Sequence, residues 1–171
     1  MSERPDSLAE LEQLLRSLKR RIPRYPLELS ILSRFAVHVE KRNVELCTRI
    51  LKPQALTYVS YQALVIAFAS GDAGITPTEL ARATGERATN VTHIADDLLR
   101  RELITRTRDA QDRRRVVLKL TAAGESLLAQ VQPKIWAVWT RRYKGFSAAE
   151  RATLEELLRR QFSNLEDGDS L

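Results

Sequence analysis

Seven arginines lie between Leu98 and Arg115: Arg100, Arg101, Arg106, Arg108, Arg113, Arg114 and Arg115. Three acids share that stretch (Glu102, Asp109 and Asp112), so 7 − 3 leaves a local +4 over 18 residues. A guanidinium is a planar fork of donors, suited to phosphate oxygens and to the edge of guanine. Just upstream stand Arg87, Thr89, Asn90, Thr92 and His93. Small polar side chains such as these approach base edges without a large desolvation penalty. The chemistry on offer is recognition of a polyanion. No nucleophile–base pair, glycine-rich phosphate loop or cleft-forming carboxylate cluster is found, so no enzyme is expected. His38 and His93 are far apart and Cys47 is the only cysteine. No metal site, cofactor or intrachain disulfide is therefore expected.

These residues need a scaffold, and the pattern supplies one. Thr76-Pro77-Thr78-Glu79 is a helix start: Thr as N-cap, Pro at the first helical position, Glu at the third. Gly85 stops that helix after about two turns, at a position suited to a left-handed backbone. A second helix is expected over 88–101, with Val91, Ile94, Ala95, Leu98 and Leu99 on one apolar stripe. Projected at about 100° per residue, Thr89, His93, Asp96 and Arg100 face away from that stripe, with Asn90 and Thr92 on its flanks. Helix, short turn, second helix is the plan in which the second helix reads a major groove. An ordinary helical hairpin would show the same pattern. Two strands are expected next, at 103–107 and 116–120, joined by the basic segment Arg108 to Arg115. A basic hairpin beside such a helix pair is a wing, whose tip reaches phosphates or a minor groove. A merely solvated hairpin is the alternative.

The remaining chain is helical. Helices are expected over 7–21, 27–51 and 57–70, the last apolar on most sides and so buried. Thr121 caps a long helix over 122–144, in which Leu128, Val131, Ile135, Val138 and Arg142 form a seam. Pro133 predicts a kink or break inside it. Ser147 and Glu150 form a capping box for a final helix with Leu154, Leu157, Leu158, Phe162 and Leu165 on its apolar face. The fold class is thus mostly α with a small two- to three-stranded β wing. Three regions follow: 1–56, an N-terminal extension and helices; 57–121, the winged helix-turn-helix; 122–171, C-terminal helices and an acidic tail.

The bulk composition is permissive. Apolar residues make up 43% of the chain and aromatics 6%, so the core must be mostly aliphatic. Of 28 basic residues 22 are Arg, and the net charge is +6. A source-genome habit would explain that total equally well, so placement outweighs number. The N-terminus lacks a signal-peptide apolar region, and the run from Ala63 to Ala69 is too short for a bilayer. A soluble, cytoplasmic protein with no membrane partner is expected.

Residues 75–124 resemble the multiple-antibiotic-resistance regulator (MarR) family of winged helix-turn-helix proteins. Asp112-Arg113-Arg114 through Val116, Leu118, Leu120, Thr121 and Gly124 match its Asp-x-Arg…Leu-Thr-x-x-Gly signature in type and spacing. The stretch 89–104 most resembles the branch that represses multidrug-efflux operons, and the helical order extends the resemblance over about 27–165. The helix at 7–21 is an extension that many members lack.

The resemblance implies a homodimeric repressor on pseudo-palindromic double-stranded DNA, with the terminal helices of two chains interleaved. It also implies a small-molecule effector, often a phenolic or other aromatic anion, bound between the dimerisation region and the DNA-binding lobe. Arg114 would enter the minor groove, Asp112 would hold the wing arginine, and Arg113 and Arg115 would be further phosphate contacts. Arg87, Thr89, Asn90, Thr92, His93 and Arg100 complete the expected DNA-contacting set. His38, Tyr58, Tyr61, Phe68 and Trp136, with Trp139, are pocket candidates, each alternatively core or interface. Two further readings stay open: a winged helix used for protein–protein contact, and a redox-responsive regulator acting through Cys47. A buried, inert thiol is the plainer account of Cys47.

Overall fold

The computed structural model describes residues 7–108 and 115–166. Among the described residues, seven helices and two strands run in the order α1 (Ser7–Arg21), α2 (Leu27–Leu51), α3 (Tyr58–Ala69), α4 (Pro77–Thr84), α5 (Ala88–Arg100), β1 (Ile104–Arg108), β2 (Val116–Leu120), α6 (Ala122–Arg142) and α7 (Ala148–Glu166). Short 3-10 turns follow α2 (Lys52–Gln54) and α3 (Gly71–Ala73). The fold is mostly α with a small β wing, as the sequence predicts.

One aliphatic core unites α2 to α6 and the two strands. Leu51 and Cys47 of α2, Leu64 of α3, Leu80 of α4, Leu98 of α5, Leu118 of β2 and Ile135 of α6 are almost wholly removed from solvent. Helix α3 lies in the middle of it. Its Thr57 hydroxyl accepts the backbone N–H of Ser60 at 3.0 Å, so the helix begins on a satisfied cap. The stripe on α5 buries Val91, Ala95 and Leu98, leaving the opposite face to solvent.

The strands pair antiparallel, Ile104 opposite Leu120 and Arg108 opposite Val116. Beyond β2, Ile75 and Leu118 exchange both backbone hydrogen bonds, at 3.0 and 2.8 Å. The third strand is therefore a single bridging residue, just before α4. Gly74 makes this approach possible, since an added Cβ would lie 2.9 Å from the Leu118 carbonyl oxygen. β1 begins one residue later than expected. Glu102 takes up a left-handed conformation (φ 55°), which turns the chain out of α5 and lets the Leu103 N–H bond to the Leu98 carbonyl at 2.9 Å.

Pro133 does not break α6. The helix runs unbroken from Ala122 to Arg142, correcting the expected break. Pro133 and Ala129 both lie on the exposed face. The carbonyl deprived of its N–H partner can bond to water, which removes the cost of leaving it unsatisfied in a buried helix.

Gly124 shows why the Leu-Thr-x-x-Gly run ends in glycine. A Cβ there would sit 2.3 Å from the Leu103 carbonyl oxygen and 2.6 Å from Leu120 Cδ1. Helix propensity favours alanine over glycine by about 1 kcal/mol. A backbone clash outweighs that gain, because neither α6 nor the end of α5 can move alone. Gly124→Ala is expected to destabilise the fold by about 1–3 kcal/mol in urea unfolding. A stabilised variant would show that the junction is loose.

Candidate nucleic-acid interface

The helix pair α4–α5 begins on a complete capping box. Thr76 Oγ1 accepts the Glu79 N–H at 3.2 Å, while Glu79 Oε2 accepts from the Thr76 N–H at 2.9 Å and the Thr76 hydroxyl at 2.8 Å. Gly85 ends α4 in the left-handed region (φ 70°). This tight turn swings α5 across α4 with its apolar stripe inward.

The outward face of α5 then follows from periodicity. Arg87, Thr89, Asn90, Thr92, His93, Asp96 and Arg100 are all exposed. Some of these groups already have partners. Asn90 donates to Glu86 Oε2 at 2.6 Å, and the Thr92 hydroxyl donates to the Ala88 carbonyl at 2.9 Å. Asn90 is thereby oriented, while Thr92 retains a lone pair and a methyl group.

Three contacts fix α5 and the wing root, of which the sequence anticipates only that Asp96 or Asp97 orients an arginine. Asp96 Oδ1 accepts from Arg106 of β1 at 3.2 Å. Glu79 Oε1 accepts from Arg115, just before β2, at 2.5 Å. Arg101 donates to the carbonyls of Ala55 and Gln54, both at 2.8 Å, and sits 3.6 Å from Asp97. The C-terminus of α5 is thus clasped to the turn after α2, where Ala55 adopts φ 49°. One signal was available: an acid such as Asp96 on a face meant for phosphates needs a cationic partner. Glu79 gave no such signal, because its role as helix cap already explained it. Arg115, expected as a phosphate contact, is engaged by Glu79. Asp112, Arg113 and Arg114 lie outside the described residues.

The aromatic candidates lie in different surroundings. Tyr58 and Tyr61 stack with ring centroids 6.3 Å apart, but Tyr61 is part of the core, and burial pushes its hydroxyl up to about 12. Phe68 and Trp136 are each about half exposed, and Trp139 is also exposed. His38 Nδ1 is occupied by the Arg34 carbonyl of its own helix at 2.9 Å. A polar network runs beside Tyr58. Arg142 of α6 bonds Glu40 of α2 at 2.9 Å, and Asn43 donates to Glu40 at 3.1 Å. Cys47 is fully buried next to Asn43, and desolvation, then the Glu40 charge, raises its thiol above the usual range. A thiolate is disfavoured there, which argues against the redox reading.

This arrangement has known counterparts. The MarR family profile matches residues 56–116. The transcriptional repressor MprA of Escherichia coli K12 is 30% identical over 160 residues, covering 94% of this chain and 91% of that protein. A crystal structure of a mutant E. coli MarR complexed with operator DNA superposes with a TM-score of 0.67 at 26% identity, covering 83% of this chain and 95% of that one. AbsC of Streptomyces coelicolor, described as a MarR family transcriptional regulator, shares the fold with a TM-score of 0.72 at 21% identity, over 81% of this chain and 94% of its own.

The Glu79 carboxyl carries a pH signature. Hydrogen bonds from the Thr76 backbone and hydroxyl, then from Arg115, lower it from an ordinary 4.5 to about 2. A lowered folded-state value stabilises the fold above the ordinary carboxylate range, and that contribution fades as pH falls toward 2. Glu79→Gln should therefore flatten the loss of stability between about pH 5 and about pH 3, read from urea midpoints. An acid limb as steep as that of the parent would mean that the cap does not bind the carboxylate in preference to its neutral form.

Proposed function

The chain belongs to the MarR family of DNA-binding transcriptional regulators, and we propose that it acts as a homodimeric, non-catalytic, ligand-released repressor of a pseudo-palindromic operator, working in the cytoplasm. The observation that carries the reading is the outward face of α5. Arg87, Thr89, Asn90, Thr92, His93 and Arg100 stand exposed on a helix tied down at its C-terminus and flanked by the wing. In this reading these side chains meet base edges and phosphates of a major groove, while Arg113 and Arg114 continue from the wing into phosphates or a minor groove. No described helix is long and apolar enough to cross a membrane.

The dimer is proposed from uncovered apolar surface. α7 has 19 residues and buries none of them. Its Leu158, Phe162 and Leu165 are exposed at 50, 64 and 73%. Leu29, Leu32 and Val37 of α2 are likewise more than half exposed. Apolar surface of this extent is rare on a monomer. A second copy offers the same surface, and twofold pairing would interleave the helices of regions 1–56 and 122–171. The two 57–121 lobes would then present their α5 helices to successive major grooves, about 34–36 Å apart. A small aromatic anion lodged beside Tyr58 and the Glu40–Arg142 network would favour one lobe spacing over the other. Only such differential affinity shifts the protein off DNA.

A salt-dependent gel shift on the protein's own promoter tests the DNA reading. Arg114→Ala should weaken binding and lower the slope of log affinity against log salt by about one unit. Unchanged affinity and slope would remove Arg114 from the interface.

Phe162→Glu tests the dimer. Sedimentation should show a shift to monomer, with operator binding lost in parallel. A Phe162→Glu protein that stays dimeric would place the interface elsewhere.

A further inference from the structure

We propose that Arg115 is a strut rather than a phosphate contact, held by Glu79 so that the wing leaves the helix-turn-helix in one fixed direction. The inference rests on the DNA-binding reading above and assigns Glu79 as a positioning residue for it. The geometry starts with the two oxygens of one carboxylate. Oε2 is taken by Thr76, through its N–H at 2.9 Å and its hydroxyl at 2.8 Å. Oε1 is taken by Arg115 at 2.5 Å. The rotamer that caps α4 is therefore also the one that presents an oxygen to the wing root.

A second attachment lies three residues along β2. Leu118 exchanges both backbone hydrogen bonds with Ile75, the residue before the Thr76 cap. On an extended strand the two attachments are about 10 Å apart. A single attachment would leave β2 a pivot on the start of α4, and two attachments define a line. β1 is held separately by Asp96 and Arg106 at 3.2 Å. Each wing strand is thus referred to one helix of the pair, β2 to α4 and β1 to α5.

The exposure of this contact indicates where its effect should be read. Both side chains of the Glu79–Arg115 pair are more than 40% exposed. Exposed ion pairs contribute little to stability. The consequence of losing this one should then appear in DNA discrimination, which depends on where the wing arrives, more than in melting. The ratio of operator to random-sequence affinity is the suitable readout. Removing an acid raises attraction to any DNA, and the ratio cancels that general gain.

The test compares the parent, Glu79→Gln, Arg115→Gln and the double variant in gel shifts on the promoter fragment and on random DNA across a salt series. Each single variant should lower the ratio by about fivefold or more, the scale of one lost specific contact. The double variant should be no worse than the poorer single, because both remove the same strut. Arg115→Gln should leave the salt slope of the parent intact, whereas loss of a phosphate contact would lower it by about one unit. Unchanged ratios, additive losses or a lowered slope would each overturn the proposal. Arg115→Gln leaves the Thr76–Glu79 cap in place, so it decides the matter even if Glu79→Gln fails to fold. A parent protein that shifts no DNA would overturn the DNA reading together with this one. Binding by the parent with no effect of the variants would overturn this one alone.

Discussion

The hydroxyl of Thr121 holds three parts of the molecule together. It donates toward the carbonyls of Glu102 and Leu103, at 2.7 and 3.0 Å, and it accepts the N–H of Gly124 at 3.0 Å. The Thr121 N–H also bonds the Leu103 carbonyl at 3.1 Å. The turn that leaves α5, the end of β2 and the start of α6 therefore meet at one side chain. Glu102 can remain in a left-handed conformation, which costs a non-glycine residue about 1 kcal/mol or more, because its carbonyl is anchored there. Valine has nearly the same shape but lacks the hydroxyl, and would leave the α6 N-terminus uncapped.

From that junction the two ends of α5 can be followed outward. One end of α5 follows the glycine turn from α4, which is capped at Thr76 and bridged to β2 at Ile75. The other end runs into Arg101, whose guanidinium grips the turn after α2. α2 also meets α6 through the Glu40–Arg142 pair. Helix α2, which carries uncovered apolar surface, is thus mechanically continuous with α5. A change in the pairing of two copies would pass to α5 through side chains already in contact, without partial unfolding.

Much of this was legible in the residues. Helix starts at Thr76, Thr121 and Ser147 were readable because a cap needs one residue type at one local spacing, and hydrogen bonds bear out each of them. The stripe on α5 was readable because it repeats. The contacts that orient the site were not, since Glu79 and Arg115 are 36 residues apart and Arg101 binds backbone carbonyls that have no residue signature. The break expected at Pro133 did not occur, for a related reason. The effect of that proline depends on whether the deprived carbonyl faces water, which is a property of packing. The aromatic side chains could not be sorted by type alone: Tyr61 is core, while Phe68 and Trp136 lie on open faces, a difference set by packing.

The burial of Cys47 makes the chain its own unfolding indicator. Its thiol is the only one in the sequence, is fully enclosed and resists ionisation. A bulky thiol reagent can react only with molecules that have opened the α2–α3–α6 core. The slow modification rate of a native sample then counts the fraction of time that core spends open. Exposed positions such as Thr89 can be replaced by cysteine and labelled rapidly, with the native thiol remaining silent while the fold holds.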